Sequence, residues 1–251
     1  MKPLFIIGPC VIEDKFILDE IAACLKYLNS RYDAEFYFKS SFDKANRTSI
    51  KSFRGPGLIR GLQLLSDVKE TYNIPIVTDI HESYQANVVA EVVDIIQIPA
   101  FLCRQTDLIV SAARTGCIIN IKKGQFMSAG DMKYSVQKAV ESGATNVFLT
   151  ERGNMYGYND LVVDFRNIPL MKSISHKVIM DCTHSVQMPG GNGGSSGGNP
   201  QYIEAMALAS KAFGADGYFF EVHPEPHKSL CDGSCMLKLD RLENIVRKLV
   251  I

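Results

Sequence analysis

Hydrophobic and polar positions alternate along this chain between two kinds of segment. Short runs of β-branched and aromatic residues predict strands, and longer segments with apolar residues three or four positions apart predict helices. The predicted strands span residues 4–8, 35–39, 75–78, 95–98, 117–121, 146–149, 177–180 and 217–220. The predicted helices span residues 16–28, 58–70, 84–93, 105–115, 131–142, 161–171, a segment around 203–210, and 239–250.

Eight strand–helix pairs follow one another in 251 residues without a break in composition. A chain of this length with 46% hydrophobic residues can bury the core of one domain. We therefore predict a single α/β domain, residues 1–251, folded as a (β/α)8 TIM barrel, with a doubly wound open sheet as the alternative. Polar residues follow the predicted strands, which favours the barrel, because a barrel gathers all eight carboxyl ends into one mouth.

The balance of charge excludes several functional classes. Lysine plus arginine and aspartate plus glutamate number 27 each, so we expect neither nucleic acid nor a membrane as a partner. No stretch approaches the roughly 18 apolar residues of a membrane span, and the amino terminus lacks signal-peptide length, so we expect a cytoplasmic protein. Seven cysteines without framework spacing indicate reduced thiols or metal ligands rather than a disulfide scaffold.

One segment departs from the overall neutrality of the chain. Residues 38–54 hold five cations against one acid, interleaved with serine, threonine and asparagine. The five cations are Lys39, Lys44, Arg47, Lys51 and Arg54. The mixture suits phosphate or carboxylate oxygens, although a charge run is more often a solvated surface loop. Its place after the second predicted strand, at the barrel mouth, favours anion binding.

More cations follow later strands and are expected at the same mouth. They are Arg104, Lys122, Lys123 and Arg152. Lys39 and Lys122 lie in apolar strand runs, where a buried ammonium group is costly without an anion. Two separate anionic groups, or one substrate with several, would balance this charge.

Four possible metal ligands follow neighbouring strands of the predicted barrel, the first, seventh and eighth. They are Cys10, His184, Glu221 and Asp232. A thiolate, an imidazole and two carboxylates suit a borderline divalent ion such as Zn²⁺, Fe²⁺ or Mn²⁺. Without the barrel, Cys10 is a buried small apolar residue and His184 an ordinary strand-end histidine.

Two further features carry weaker predictions. Cys231 and Cys235, spaced C-x3-C without a second pair, are expected to be incidental. Residues 189–200 are rich in glycine, serine and asparagine, which predicts a mobile loop between the seventh strand and its helix. We expect this loop to be a lid over the mouth rather than a linker.

Nine motifs in order along the chain resemble those of the 3-deoxy-D-manno-octulosonate 8-phosphate synthase family. They are Gly8-Pro9-Cys10 with Glu13, FKSSFDKANRTS at 38–49, FRGPG at 53–57, TDIHE at 78–82, QIPAFLCRQTD at 97–107, NIKKGQF at 120–126, TERG at 150–153, DCTHSVQ at 181–187 and EVHPEP at 221–226. The resemblance runs from about residue 4 to residue 240. It is specific, because several long motifs occur in the family's order.

The resemblance implies a homotetrameric (β/α)8 enzyme of lipopolysaccharide (Kdo) biosynthesis, an alkyl-type transferase. Such an enzyme condenses phosphoenolpyruvate with D-arabinose 5-phosphate and water to give 3-deoxy-D-manno-octulosonate 8-phosphate and phosphate. Cysteine at position 10 is typical of the family's metal-dependent branch, whereas asparagine there is typical of the metal-independent one. The implied ligands of one divalent ion (Zn, Fe or Mn) are Cys10, His184, Glu221 and Asp232.

The resemblance also implies roles for individual residues. Lys122 and Arg152 would hold the phosphoenolpyruvate phosphate, with Lys39, Ser41, Lys44 and Gln97 on the carboxylate side. Asn46, Arg47 and Thr48 would bind the pentose phosphate, with the partner subunit's Arg104 assisting and Asp79 near the sugar hydroxyls. The family usually has serine at position 48, and Thr48 keeps the hydroxyl. The candidate catalytic residues are thus Lys39, Asp79, Lys122, Arg152 and His184.

Two other functions remain open on sequence alone. The sister family, 3-deoxy-D-arabino-heptulosonate 7-phosphate synthase, shares the barrel, the metal ligands and phosphoenolpyruvate but takes erythrose 4-phosphate. It typically has a Lys-Pro-Arg run where this chain has Lys44-Ala45-Asn46-Arg47. A phosphosugar-binding barrel without catalysis is the other alternative, but it requires a broken site, and the motifs show none.

Overall fold

The computed structural model describes residues 2–47, 49–191 and 197–251. Within these residues, eight parallel strands form a closed barrel. They are β1 Leu4–Gly8, β2 Glu35–Lys39, β3 Ile76–Asp79, β4 Ile95–Ile98, β5 Ile118–Lys122, β6 Val147–Glu151, β7 Lys177–Asp181 and β8 Gly217–His223. Each strand pairs with the next, and β8 pairs back to β1, with Gly217 opposite Leu4. The prediction of a (β/α)8 barrel is confirmed and the open sheet is excluded.

Each strand is followed by a helix of the same number. The helices are α1 Lys15–Arg31, α2 Leu58–Tyr72, α3 Gln85–Ala90, α4 Thr106–Ala113, α5 Met132–Glu141, α6 Asn167–Lys172, α7 Ile203–Ala212 and α8 Leu242–Val250. None of the helices within the described residues combines the length and apolar character that a membrane crossing requires.

Helix α6 differs most from its predicted span of 161–171. The first part of that span is instead a two-residue strand, Leu161–Val162, which pairs with Asn154–Met155. Asp164 then accepts a hydrogen bond from the backbone N–H of Arg166, 3.0 Å away. A local side-chain-to-backbone bond of this kind favours a turn over a helix, so the helix begins only after the turn.

Strand side chains alternate between the barrel interior and the layer beneath the helices. The interior is filled by an apolar cluster of Leu4, Ile6, Val77, Ile95, Phe148, Ile179 and Phe219, with Tyr37 and Ile118 packed against it. Polar side chains follow members of this cluster by two or four residues and therefore lie on the same face of the strands. They are Lys39, Asp79, Gln97, Lys122, Arg152, Asp181 and Glu221. The alternation thus places a layer of polar side chains at the carboxyl end of the barrel, next to the apolar side chains that fill its interior.

Several strands extend past their predicted carboxyl ends. Strand β8 ends at His223 rather than at residue 220, and β7 includes Asp181. The apolar runs stop before the strands do, because parallel pairing continues through the polar residues. Charged groups such as Lys122 and Glu221 therefore sit on rigid strand backbone instead of on loops.

Candidate active site

The carboxyl ends of the strands open onto a cavity of about 910 Å³. Most of the predicted site residues line it: Lys39, Lys44, Asn46, Arg47, Asp79, Gln97, Lys122, Arg152, His184, Glu221 and Asp232. Cys10 and Ser41 are fully buried just behind the wall. Arg104 is exposed and outside the wall, and Thr48 lies outside the described residues.

The possible metal ligands form two overlapping triads that share Asp232. One triad is Cys10, Cys231 and Asp232, and the other is His184, Glu221 and Asp232, with donor atoms within 4.8 Å of one another in each. Cys10 Sγ lies 3.3 Å from Asp232 Oδ2, and His184 Nε2 lies 3.5 Å from Glu221 Oε2. The four predicted ligands therefore meet around Asp232.

Cys231 belongs to this cluster, contrary to the prediction that it is incidental. Its Sγ lies 2.9 Å from Cys10 Sγ, although the two residues are far apart in sequence. The available signal was its position directly before Asp232, a predicted ligand. Cys235 is also buried, and its Sγ contacts the backbone oxygen of Asp232 at 3.2 Å.

The donor set fits a divalent cation. Glu221 is fully buried, yet neither of its carboxylate oxygens has a hydrogen-bond partner. Burial raises the pKa of Glu221, but His184, Lys44 and Lys39 outweigh it and lower the pKa to about 2. A buried anion that accepts no hydrogen bond is costly, and a metal ion held with His184 and Asp232 would satisfy it.

The loop that carries Asp232 is held in a specific conformation. Asp232 itself has φ 51°, in the left-handed region, which aspartate adopts more readily than most residues and which is enriched at functional sites. Glu13, in the loop after β1, accepts hydrogen bonds from Ser229 Oγ at 2.6 Å and from the Leu230 backbone N–H at 3.1 Å. Glu13 thereby ties the loop of Asp232 to the loop of Cys10.

Asp181 joins the cluster around Asp232 to the cationic side of the cavity. Its buried carboxylate lies 2.6 Å from Lys122 Nζ and 2.8 Å from His184 Nδ1, and it also accepts the backbone N–H groups of Thr183 and His184. Because an ionised carboxylate only accepts, Nδ1 of His184 carries a proton, and Nε2 is the ring atom that faces the cluster. Burial raises the pKa of Asp181, but His184 and Lys122 outweigh it and hold the pKa well below its ordinary value.

Asp181 was missed as a site residue from sequence. The available signal was its place three residues before His184, at the start of the DCTHSVQ motif. A carboxylate behind a ligating histidine is a common second partner, but only the fold shows that the same carboxylate also reaches Lys122 on a different strand.

Lys122 and Arg152 present two cations from neighbouring strand ends. They are only 5% and 6% exposed, and burial lowers the pKa of both, with Asp181 acting in the opposite direction. Arg152 donates from Nη2 to Gln187 Oε1 at 3.1 Å, while its buried Nε has no partner. Lys122 Nζ lies 3.7 Å from the centre of the Phe219 ring. Two buried cations with an unused donor form a ready site for an anion.

A second group of cations comes from β2 and the loop after it. Lys39 Nζ lies 3.5 Å from Glu221 Oε1 and 3.8 Å from Asp79 Oδ1, and it donates to Ser41 Oγ at 2.9 Å. Burial lowers the pKa of Lys44, but nearby anions, Glu221 among them, raise it well above its ordinary value. Burial raises the pKa of Asp79, but Lys39, His81 and Lys44 together outweigh it and hold the pKa well below its ordinary value.

The charged segment 38–54 divides between the cavity and the surface. Lys39, Lys44 and Arg47 line the cavity, and Arg47 Nη1 lies 2.8 Å from Cys231 Sγ and 3.7 Å from Asp232 Oδ1. Arg54 instead pairs with Asp43, its Nε 2.8 Å from Oδ1, at the surface. The cations of this segment that line the cavity are thus confined to its first part.

Comparison with known proteins identifies the family of this chain. A model of the family described as the DAHP synthetase I family matches residues 1–250. The chain belongs to this family. Within the DAHP synthetase I family, the chain is 54% identical over 260 aligned positions to a Campylobacter jejuni protein named 2-dehydro-3-deoxyphosphooctonate aldolase, covering 99% of this chain and 96% of that relative.

Other relatives in the DAHP synthetase I family carry the same name. The chain is 51% identical to the protein from Geobacter metallireducens and 50% identical to the one from Desulfotalea psychrophila, covering 99% of this chain and 92% and 89% of the relatives. This aldolase name is another name for 3-deoxy-D-manno-octulosonate 8-phosphate synthase, so the resemblance stated from the motifs is confirmed.

Proposed function

We propose that this protein condenses phosphoenolpyruvate with D-arabinose 5-phosphate and water, forming 3-deoxy-D-manno-octulosonate 8-phosphate and releasing phosphate, for lipopolysaccharide (Kdo) biosynthesis. The observation that carries the proposal is the arrangement around one cavity. The buried cations Lys122 and Arg152 stand on one side, and the cluster around Asp232 stands on the other, with Asp181 between them. The names of the relatives support the same reaction.

The phosphate of phosphoenolpyruvate would bind between Lys122 and Arg152. A phosphate oxygen there would accept from Arg152 Nε, which otherwise has no partner, and charge-assisted bonds to a buried oxyanion are strong. The carboxylate side would meet Lys39, Ser41, Lys44 and Gln97. Lys39 Nζ and Lys44 Nζ lie 3.5 Å and 3.9 Å from Glu221 Oε1. The substrate carboxylate would replace Glu221 as the partner of these two lysines.

The pentose phosphate would bind farther out, at Asn46, Arg47 and Thr48. Arg47 keeps a buried Nε without a partner and so has donor capacity left for a phosphate oxygen. Asp79 would accept from sugar hydroxyls, and the exposed Arg104 would complete this end from the neighbouring subunit of a homotetramer. Because both substrates are phosphorylated metabolites, we infer a cytoplasmic location.

Cys10, His184, Glu221 and Asp232 would hold one divalent ion, either Zn, Fe or Mn. When bound, such an ion supplies Lewis-acid chemistry, which serves here to polarise the aldehyde or to orient the water. The residues of the chain hold this site in place. Asp181 fixes the His184 ring through Nδ1, and Glu13 fixes the loop of Asp232.

In the proposed reaction, C3 of phosphoenolpyruvate attacks the aldehyde carbon of the pentose and water adds at C2. The resulting hemiketal phosphate loses phosphate by C–O cleavage, and the phosphate leaves with the electron pair. Lys122 and Arg152 would stabilise the charge on the departing phosphate, because they are already positioned and largely dehydrated. They act by position and charge rather than as nucleophiles.

A phosphate-release assay with two aldoses tests the proposal. The metal-loaded protein is given phosphoenolpyruvate with either D-arabinose 5-phosphate or D-erythrose 4-phosphate. We expect clear preference for the five-carbon sugar. Preference for the four-carbon sugar would instead assign the second candidate function, that of 3-deoxy-D-arabino-heptulosonate 7-phosphate synthase. The description of the matching family, DAHP synthetase I, is the reason to test this candidate. No phosphate release with either sugar would leave only a binding protein.

A further inference from the structure

Behind the two cations of the phosphate site lies a buried ion pair that the proposed reaction does not use. Lys123 follows Lys122 and Glu151 precedes Arg152, so alternation turns their side chains to the outer face of the barrel. Both side chains are 0% exposed, and Lys123 Nζ lies 3.3 Å from Glu151 Oε1.

The strand positions that precede this pair on the same face are apolar. The preceding outward positions on β5 and β6 are Ile119, Ile121, Val147 and Leu149, all in the main core. A buried ion pair in such a layer is often no more stabilising than apolar residues of similar volume, because both charges lose their hydration. Stability alone is therefore a weak reason for charges at this place.

The Glu151 carboxylate accepts hydrogen bonds from two consecutive backbone N–H groups, those of Arg152 and Gly153. Its Oε1 accepts the backbone N–H of Arg152 at 2.9 Å and that of Gly153 at 2.6 Å, and its Oε2 accepts from Asn167 Nδ2 at 2.9 Å. Gly153 has φ 91°, a conformation that favours glycine. The carboxylate thus fixes the turn from which the Arg152 side chain projects.

Lys123 joins the same turn to the loop after β5. Its Nζ donates to Gly153 O at 3.2 Å and to Asn154 Oδ1 at 2.8 Å. Asn154 in turn donates from Nδ2 to Met127 O at 2.9 Å. The pair therefore ties the loop that follows Lys122 to the loop that contains Arg152.

We propose that Lys123 and Glu151 are positioning residues for the phosphate site, which hold the ends of β5 and β6 in the register that lets Lys122 and Arg152 grip one phosphate group together. This inference rests on the proposed binding of the phosphoenolpyruvate phosphate by those two cations. Neither residue of the pair touches the substrate. They act through the backbone of the two loops.

The test replaces the pair with apolar residues of similar size, Lys123→Met with Glu151→Leu, in the metal-loaded protein. A control replaces the partly exposed pair at the other end of the barrel, Lys177→Met with Glu35→Gln, whose Nζ and Oε2 lie 3.0 Å apart. Calorimetry measures the Kd of phosphoenolpyruvate and of inorganic phosphate, chelator competition measures the Kd of the metal, and urea unfolding measures the midpoint.

We expect the double variant at positions 123 and 151 to bind phosphoenolpyruvate and inorganic phosphate about 10-fold to about 100-fold more weakly. Its metal Kd and its KM for D-arabinose 5-phosphate should stay near those of the wild type. Its urea midpoint should fall, because the backbone N–H groups of Arg152 and Gly153 lose their acceptor. The control should keep its affinity for both phosphate compounds. A purely structural pair would lower the midpoint and leave the affinities of the folded protein unchanged, which would overturn the proposal.

A milder variant covers the case in which the double variant does not fold. Asn154→Ala keeps the ion pair and the 3.5 Å contact of Lys123 Nζ with Met127 O. It removes the two shorter hydrogen bonds that Asn154 makes with Lys123 and with Met127 O, and we expect phosphoenolpyruvate binding to weaken several-fold. Unchanged binding in this variant would then overturn the proposal. If the wild type itself fails to bind phosphoenolpyruvate, the proposed function fails instead, so the two failures are distinguishable.

Discussion

Replacing Asp181 with asparagine should weaken both the metal cluster and the fold. Asp181 now serves four donors: Lys122 Nζ, His184 Nδ1 and the backbone N–H groups of Thr183 and His184. An asparagine keeps the shape but offers one acceptor oxygen, and its amide N–H groups would face donors. Lys122 would lose its 2.6 Å ion-pair partner in a buried position.

The expected magnitude follows from these contacts. Removal of one partner from a buried ion pair costs about 3–5 kcal/mol of folding free energy. Loss of the partner behind a ligating histidine weakens metal binding by about 10-fold to about 100-fold, which corresponds to about 1.4–2.7 kcal/mol. Both values are large enough to measure with standard methods.

The assay compares Asp181→Asn with Asp216→Asn. Asp216 acts at the opposite end of β7, where its Oδ2 accepts the Val178 backbone N–H at 2.8 Å and its Oδ1 pairs with Lys172 Nζ at 2.7 Å. Urea unfolding without metal gives the stability of each variant, and competition with a chromogenic chelator gives the Kd of Zn²⁺. The Asp216 variant should lose stability but keep the wild-type metal affinity.

The outcomes separate the two roles given to Asp181. If the Asp181 variant binds Zn²⁺ within twofold of the wild type, then His184 does not depend on Asp181 for its orientation, and the assigned tautomer is wrong. If the metal-free variant is as stable as the wild type, Lys122 does not need the ion pair. Either result would refute that part of the reasoning.

Further predictions concern single positions around the cavity. Cys10→Ala should weaken metal binding more than about 100-fold, and Cys231→Ser should weaken it less than about 10-fold. Metal analysis after dialysis measures both effects, and equal losses in the two variants would make Cys231 a full ligand. Arg152→Lys should raise the KM for phosphoenolpyruvate by about 10-fold or more, because a lysine has no second nitrogen donor to keep the Gln187 contact while binding phosphate. An unchanged KM in steady-state kinetics would exclude Arg152 from the phosphate site. Asp79, whose folded-state pKa is depressed, should contribute stability above about pH 4 that is lost as the pH falls below it. Urea unfolding from pH 6 to pH 3 should thus show a shallower pH dependence for Asp79→Asn, and identical slopes would contradict the depressed pKa.

The barrel could be predicted because its signal is repeated and local. The apolar runs of β1, β2 and β4 have the bounds that the pattern predicted, since consecutive buried residues mark a strand whichever partner it pairs with. The bounds of β8 and α6 were less accurate. Pairing with β1 carries β8 to Glu221, and pairing with a short strand after it, Leu237–Lys238, carries it to His223. A turn at Asp164 delays α6, and neither effect is visible in hydrophobic periodicity.

The candidate site was predictable in its residue types but not in its connections. Cations and possible ligands after strands indicated a mouth with anion and metal chemistry, and the motifs indicated which residues do what. The contact between Cys10 and Cys231 joins residues from opposite ends of the chain. Asp181 reaches from β7 to Lys122 on β5, with β6 between them. Such contacts depend on barrel closure, so no local spacing reports them.

The sequence by itself determined the strand–helix repeat, the alternation that turns Lys39, Lys122 and Glu221 inward, and the motifs that identify the family. Only the tertiary structure decided which charges share a partner. It separated Lys122, which faces the cavity, from its neighbour Lys123, which is buried against Glu151. The physical reason is that pKa and ligand geometry depend on distances of a few ångströms between distant segments, and these distances are set when the sheet closes on itself.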